Sequence, residues 1–146
     1  MLKATAYSVL LVLLGTLYFY LIRGVVRMSR RSSAVQRHAK EIMRNRASLS
    51  SSEFGSTFFP QHQTEIAAQI RDILERVLIV DVSRIEADDK LIEDLGLGVV
   101  DGLDANFVEF DIHQKLHVSL RPAWPQIKTV RDVVTYVSDH RPRGEH

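Results

Sequence analysis

The feature that most constrains this chain is an uninterrupted run of nineteen uncharged residues, 4–22, in which Leu, Val, Ala and Tyr predominate. A helix of that length extends for about 28 Å, close to the thickness of the hydrocarbon core of a bilayer. The run passes directly into Arg23 and Arg27 without a small-residue cleavage site, so it fits an uncleaved anchor better than a signal peptide or a buried core helix. Residues 1–27 are therefore predicted to form a single-pass transmembrane anchor.

Basic residues are distributed unevenly around this segment. Lys3 is the only one before the run. Eight follow it, namely Arg23, Arg27, Arg30, Arg31, Arg37, Lys40, Arg44 and Arg46. Because basic flanks are retained on the cytoplasmic side of a membrane, the C-terminal domain is expected to be cytoplasmic. The membrane location accounts for this charge, so the lipid bilayer rather than nucleic acid is the expected partner of the basic segment.

Residues 28–60 are predicted to connect the anchor to a folded domain. Their first part is a basic juxtamembrane segment, which lies either as a helix near anionic headgroups or as a solvated helix. Residues 48–60 are rich in serine and have no apolar period, which predicts a flexible tether with three phenylalanines in it.

Three amphipathic patterns predict helices within residues 61–140. The first begins at Thr64 as a plausible N-cap, the second extends from Asp101 to about His117, and the third begins at Thr129, with Asp132 three residues later. The expected core stripe of the second helix is Ala105, Val108, Ile112 and Leu116, and that of the third is Val130, Val133, Val134 and Val137. Since no strand pattern appears, the predicted class is all-α: a small bundle of three main helices and one short one, with residues 141–146 as a tail.

No catalytic group is predicted. The chain has no cysteine, which excludes disulfides, thiolate zinc sites and a cysteine nucleophile. Glu109, His113 and His117 share a helix face at spacings of four, but they lack the His-Glu-x-x-His order and a fourth ligand, so a solvated face is the stronger interpretation. The acids between residues 81 and 94 lack calcium-loop spacing and predict a solvated loop. The chain is therefore expected to lack enzymatic activity and to bind no metal ion.

Three motifs occur together in an order that resembles the acyl carrier proteins, the phosphopantetheine-binding carrier family. They are Glu-Asp-Leu-Gly at residues 93–96, Asp-Gly-Leu-Asp at residues 101–104 and Thr-Val-Arg-Asp-Val-Val at residues 129–134. The surplus of acids over bases in residues 60–140, fifteen against eight, also fits the family. The resemblance covers about residues 64–140 and implies an acyl-carrier-like domain over residues 61–140.

The residue that would carry the family's cofactor is missing. In these carriers a serine in the second motif bears a phosphopantetheine arm, and here Gly102 occupies its position. An alignment that omits the extra residues before the motif places Val99 there instead. Neither residue has a hydroxyl group, and Ser83 and Ser119 lie away from the start of the second helix. We therefore expect no cofactor and no phosphopantetheine site.

The second helix is the usual recognition element of the resembled family. Its predicted partner-binding residues are Leu103, Asp104, Phe107, Phe110 and Asp111. On a helical wheel the leucine and both phenylalanines lie away from the core stripe. Two interpretations remain open: a binding patch with aromatic anchors and an acidic rim, or a helix buried on more than one side.

These observations lead to three functional hypotheses. The first is a membrane-anchored, non-enzymatic, acyl-carrier-like adaptor or regulatory subunit that binds a cytoplasmic or membrane protein through the second helix. The alternative is a functional acyl or peptidyl carrier of lipid or polyketide synthesis, modified at an unexpected hydroxyl. The third is an enzyme or metal sensor that uses Glu109, His113 and His117.

Overall fold

The computed structural model describes residues 33–98 and 103–142, and the predicted all-α class is confirmed for them. The helices are α1 over residues 33–43, α2 Ser51–Phe58, α3 Thr64–Val77, α4 Leu103–Leu116 and α5 Val130–His140, with short 3₁₀ turns at Gln61–Gln63 and Val82–Arg84. Within these two ranges the only extended pairing is an isolated bridge between Lys90 and Thr129. None of the helices described here has the length and apolar character needed to cross a bilayer, and the predicted anchor, residues 4–22, lies outside the described residues.

The three helices predicted from periodicity form the centre of the bundle. α3 packs against both α4 and α5 and buries an apolar stripe that includes Ile70 and Ile73. α4 buries Val108, Ile112 and Leu116, while α5 buries its four predicted valines. Ala105 is half-buried against the same core. The predicted core stripes of α4 and α5 are thus confirmed.

The start of α5 is capped as predicted, and the start of α3 is not. The Thr129 hydroxyl accepts a hydrogen bond from the Asp132 backbone N–H at 3.2 Å, and the Asp132 carboxylate accepts one from the Thr129 N–H at 2.9 Å. In α3, Gln63 is the N-cap and makes no side-chain cap. Thr64 lies inside the helix, and its hydroxyl donates to the Pro60 carbonyl at 3.3 Å. The 3₁₀ turn leads directly into α3, so the predicted Thr64 cap is wrong.

The predicted flexible tether is also wrong, because residues 51–58 form α2. Ser50 caps this helix: its hydroxyl accepts from the Glu53 N–H, and its own N–H donates to the Glu53 carboxylate at 2.7 Å. Phe54 is fully buried, with its ring 5.4 Å from that of Phe58 and 5.6 Å from that of Phe59, between centroids. The three phenylalanines supply the apolar surface that the serine-rich composition obscures.

The basic segment contributes to the same folded unit. Ala39 and Met43 of α1 are buried in the common core. Val35 lies against Gly96, whose φ of +75° favours glycine and where an added Cβ would lie 2.3 Å from a Val35 methyl carbon. Since α1 and α2 both bury core residues, the folded region begins well before the predicted boundary at residue 61.

Two buried charged residues connect these N-terminal helices to the rest of the bundle. Arg71 of α3 donates hydrogen bonds to the Leu49 carbonyl at 2.5 Å and to the Ser51 hydroxyl at 2.6 Å. Asp89 accepts from the Arg46 guanidinium at 2.7 Å, and this bond raises the pKa of Arg46. Asp89 is only 4% exposed. The prediction of a solvated acidic loop is therefore wrong for Asp89, which is buried and paired with the partly exposed Arg46.

Replacing Phe54 with alanine tests whether α2 belongs to the core. The variant Phe54→Ala should lower the free energy of unfolding by about 3–5 kcal/mol, since it removes a buried ring and leaves a cavity. Urea unfolding followed by the fluorescence of Trp124, the only tryptophan of the chain, measures this value. The control Thr57→Ala, at an exposed position of α2, should change it by no more than about 0.5 kcal/mol. Equal midpoints for both variants would contradict the packing of α2.

The α5 cap predicts a pH dependence of stability. Burial opposes the charge of Asp132, but hydrogen bonds from the Lys128 and Thr129 N–H groups and the Thr129 hydroxyl outweigh it and lower the pKa of this carboxyl. A lowered pKa means that the ionised carboxylate stabilises the fold above its unfolded pKa of about 3.9, and that this contribution is lost as the pH falls through the folded value.

The variant Asp132→Asn should therefore cost about 1 kcal/mol at neutral pH. Its difference from the unsubstituted chain should narrow as the pH falls below about 4 and vanish below the lowered pKa of Asp132, where the unsubstituted chain also lacks the negative charge. Urea unfolding at several pH values measures both effects, with Asp139→Asn, at an exposed position of α5, as the control. A difference that stays constant down to acid pH would contradict the role of the carboxylate.

Candidate functional site

All five predicted partner-binding residues lie on α4. They are Leu103, Asp104, Phe107, Phe110 and Asp111. Gly102 and Val99, the two residues predicted to occupy the position of the attachment serine, lie outside the described residues.

The apolar members of this set are exposed. Leu103, Phe107 and Phe110 retain 54%, 59% and 60% of their accessible surface. Val108 and Ile112, on the other side of the same helix, are buried. Among the described residues, the core covers the side of α4 that holds Val108 and Ile112 and leaves the opposite side open, so the interpretation that α4 is buried on more than one side is wrong for this part of the chain. We call the exposed set Leu103, Phe107 and Phe110 the α4 apolar face.

Two shallow grooves flank the α4 apolar face. One has a volume of about 690 Å³, and its walls include Phe107, Phe110 and Ser119. The other, of about 510 Å³, lies between Phe107 and Arg76 at the end of α3. Since Leu103 and Phe107 line both grooves, these side chains form a ridge between two depressions. A ridge flanked by grooves suits the apolar surface of another protein better than a small ligand, which needs an enclosed pocket.

Two acids near this face already have cationic partners within the chain. The Asp111 carboxylate accepts from the Arg76 guanidinium at 2.8 Å. The Glu109 carboxylate accepts from the Arg121 guanidinium at 3.0 Å. The face therefore presents less uncompensated negative charge than its sequence indicates. Asp111 keeps 32% of its side-chain surface, so its carboxylate stays accessible, whereas Glu109 keeps only 18%.

Asp104 has a structural role at the start of α4. Its carboxylate accepts a hydrogen bond from the Gly98 N–H at 2.8 Å and another from the Ala105 N–H at 3.0 Å. The first bond connects the preceding loop to the helix. Asp104 therefore holds the first turn of α4 in place beside Leu103.

The three residues considered for a metal site do not converge. Glu109 bonds to Arg121 and accepts from the Ser119 hydroxyl at 3.3 Å, so its carboxylate is engaged on the side away from the helix axis. His117 lies beyond the end of α4 with a φ of +57°, which separates it from the helical row of Glu109 and His113. Among the described residues, no three histidines, cysteines or acids form a metal-binding group.

Sequence reasoning missed the residues that border α4 from other elements. Arg76 comes from α3, and Arg121 and Ser119 come from the segment after α4. No local pattern identifies them, because their proximity to α4 depends on how the helices pack. An excess of acids on the predicted helix was the only available signal, since such acids attract arginines.

The exposure of the α4 apolar face predicts tolerance of polar substitution. The double variant Phe107→Asp/Phe110→Asp should shift the unfolding free energy by no more than about 1 kcal/mol, because neither ring is buried. The control Ile112→Ala should lower it by about 2–5 kcal/mol. Urea unfolding with Trp124 fluorescence compares the two. Loss of the fold in the phenylalanine variant would mean that these rings belong to the core.

Comparison with known proteins gives no relative for this chain: no family model matches it, and no curated protein or solved structure does so either.

Proposed function

We propose that this protein is a membrane-anchored adaptor or regulatory subunit without enzymatic activity. Its helical domain lies on the cytoplasmic side of the membrane and resembles an acyl carrier protein that lacks the phosphopantetheine arm. The partner is a cytoplasmic or membrane protein that binds the α4 apolar face. The single observation that carries this proposal is the exposure of Leu103, Phe107 and Phe110 on one side of one helix.

The energetics of exposure favour a protein partner for this face. A large apolar side chain gains about 1.5–3 kcal/mol when it is fully removed from water, and aromatic residues are frequent anchors at protein interfaces. Phe107 and Phe110 thus provide two anchors, with Leu103 beside them. Asp111 is already paired with Arg76, and Glu109 with Arg121. Apolar contact therefore contributes more to partner binding than charge attraction does.

The arrangement of helices supports the resemblance to carrier proteins. α3 is followed by a long loop, then by α4 and α5, which is the order the three sequence motifs imply. The Glu-Asp-Leu-Gly motif forms a turn whose Leu95 is fully buried. The Thr129 cap begins the closing helix. The missing hydroxyl at Gly102 separates this chain from a carrier that bears an acyl group.

The anchor is proposed from the sequence. Residues 4–22 have the length and apolar character of a membrane span, and the basic residues that follow favour a cytoplasmic position for the domain. A membrane anchor would restrict the α4 apolar face to partners at or near the same membrane.

Affinity capture from native membranes tests the adaptor function. The full chain should retain a specific protein that the Phe107→Asp/Phe110→Asp variant loses by at least tenfold, because each buried aromatic anchor contributes at least about 1 kcal/mol. The control variant Gln114→Asp, on an exposed position of α4 outside both grooves, should retain the same protein. Identical proteins on the unsubstituted chain and the double variant would contradict the proposal.

The position of Ser119 favours a second candidate function, that of a functional carrier. Ser119 lines the groove beside Phe107 and Phe110, so its hydroxyl is near the face where a carrier's partners dock. The intact mass of the chain from native membranes separates the two functions. The adaptor predicts no added phosphopantetheine on any residue. A mass increase that matches this arm, and that Ser119→Ala removes, would establish the carrier instead.

A further inference from the structure

A second surface lies where α1 meets the segment that follows α3. A groove of about 460 Å³ separates the two elements. Its apolar lining includes Ala39, Met43 and Val80. Ile79 borders the same groove and is 50% exposed, although it is a large aliphatic residue.

Cations surround this groove. Lys40 of α1 and Arg44, the residue after α1, line one wall, and Arg84 lines the other. At 100° per residue, Arg37 and Lys40 lie 60° apart on α1, and Arg37, Lys40 and Arg44 are all exposed. α1 thus turns its apolar residues into the core and a row of positive charge outward.

Few acids compensate this charge. Asp81 is the one carboxylate among the groove residues, and it pairs with Arg84 at 3.5 Å. Glu41 lies on α1 at an adjacent position of the exposed side. Among the described residues, neither Lys40 nor Arg44 forms an ion pair with a carboxylate. The surface therefore combines unpaired cations with an exposed aliphatic side chain.

We call the surface formed by Arg37, Lys40, Arg44 and Ile79 the α1 surface. We propose that it lies on the headgroup layer of an anionic bilayer. Arg37, Lys40 and Arg44 would contact lipid phosphates, and Ile79 would enter the boundary between headgroups and acyl chains. The inference rests on the proposed anchor. Only ten residues, 23–32, separate the end of the apolar run from the first described residue, so they span about 35 Å at most.

In this arrangement α1, and not a flexible tether, connects the domain to the membrane. Residues 48–60 form α2 and its flanks, so they do not serve as a flexible spacer between membrane and domain. α1 is instead the element that directly follows the basic connection, and it is part of the domain core. A domain connected in this way rests against the bilayer with one fixed surface, which gives the α4 apolar face a defined orientation.

A fluorophore at position 79 tests the contact directly. Because the chain has no cysteine, Ile79→Cys provides a single attachment point for a polarity-sensitive dye. The full chain is reconstituted into phosphatidylcholine vesicles with or without phosphatidylglycerol. We expect a blue shift of the dye only in the anionic vesicles, and its loss at about 1 M salt, where the Debye length is about 3 Å. The same dye at Gln114→Cys, on α4, should show no shift.

Charge variants test the role of Lys40 and Arg44. Lys40→Gln/Arg44→Gln should lower the ratio of docked to undocked protein roughly 30-fold, because each cation near an anionic surface contributes about fivefold. Lys115→Gln/Lys128→Gln removes the same charge from exposed positions elsewhere and should leave the ratio unchanged.

Three results would overturn the inference. If the chain resists alkaline extraction from vesicles but the dye at position 79 remains in water, the surface contact fails while the anchor stands. If the dye shifts equally in neutral vesicles, anionic lipid is not what the cations recognise. Extraction of the chain by alkali would instead overturn the anchor, and with it this inference.

Discussion

The hydrogen bonds of the Arg71 guanidinium determine where the N-terminal helices lie. Its three nitrogens donate to the Leu49 carbonyl, the Ser51 hydroxyl and the Val82 carbonyl, and the side chain is 4% exposed. A buried cation that lost these acceptors would destabilise the fold by several kcal/mol. Arg71 therefore joins the segment between α1 and α2, the loop after α3, and α3 itself. These bonds hold the segment between α1 and α2 against α3 and the loop that follows it.

The two faces of α4 are the basis of the proposed adaptor function. Val108 and Ile112 anchor the helix in the core, so its opposite side can change without loss of the fold. That side holds Phe107 and Phe110 in place of a uniformly polar surface. If the proposed resemblance to carrier proteins holds, Gly102 takes the position of the attachment serine, and recognition is the property that the proposed adaptor retains. Intramolecular ion pairs around the face leave apolar contact as the main source of affinity.

Periodicity predicted α3, α4 and α5 because each has a continuous apolar stripe, and the Thr129 cap was visible as a local motif. α2 has no continuous apolar stripe, and its serine-rich composition resembles that of a linker although Ser50 and Glu53 have capping-box spacing. Within the candidate site, the exposure of Phe110 was left open, since a helical wheel shows separate faces but not which neighbours cover them. The burial of Arg71 and Asp89 depends on tertiary packing, which no short pattern in the sequence contains.

Photocrosslinking from the α4 apolar face tests the central claim most directly. A benzophenone side chain replaces Phe110 in the full chain, and a second chain carries it at Gln114 as the control. The account predicts that position 110 crosslinks to a discrete protein in native membranes and that position 114 does not. Adducts with lipid alone at position 110, or no adducts at all, would contradict the claim that this face binds a protein.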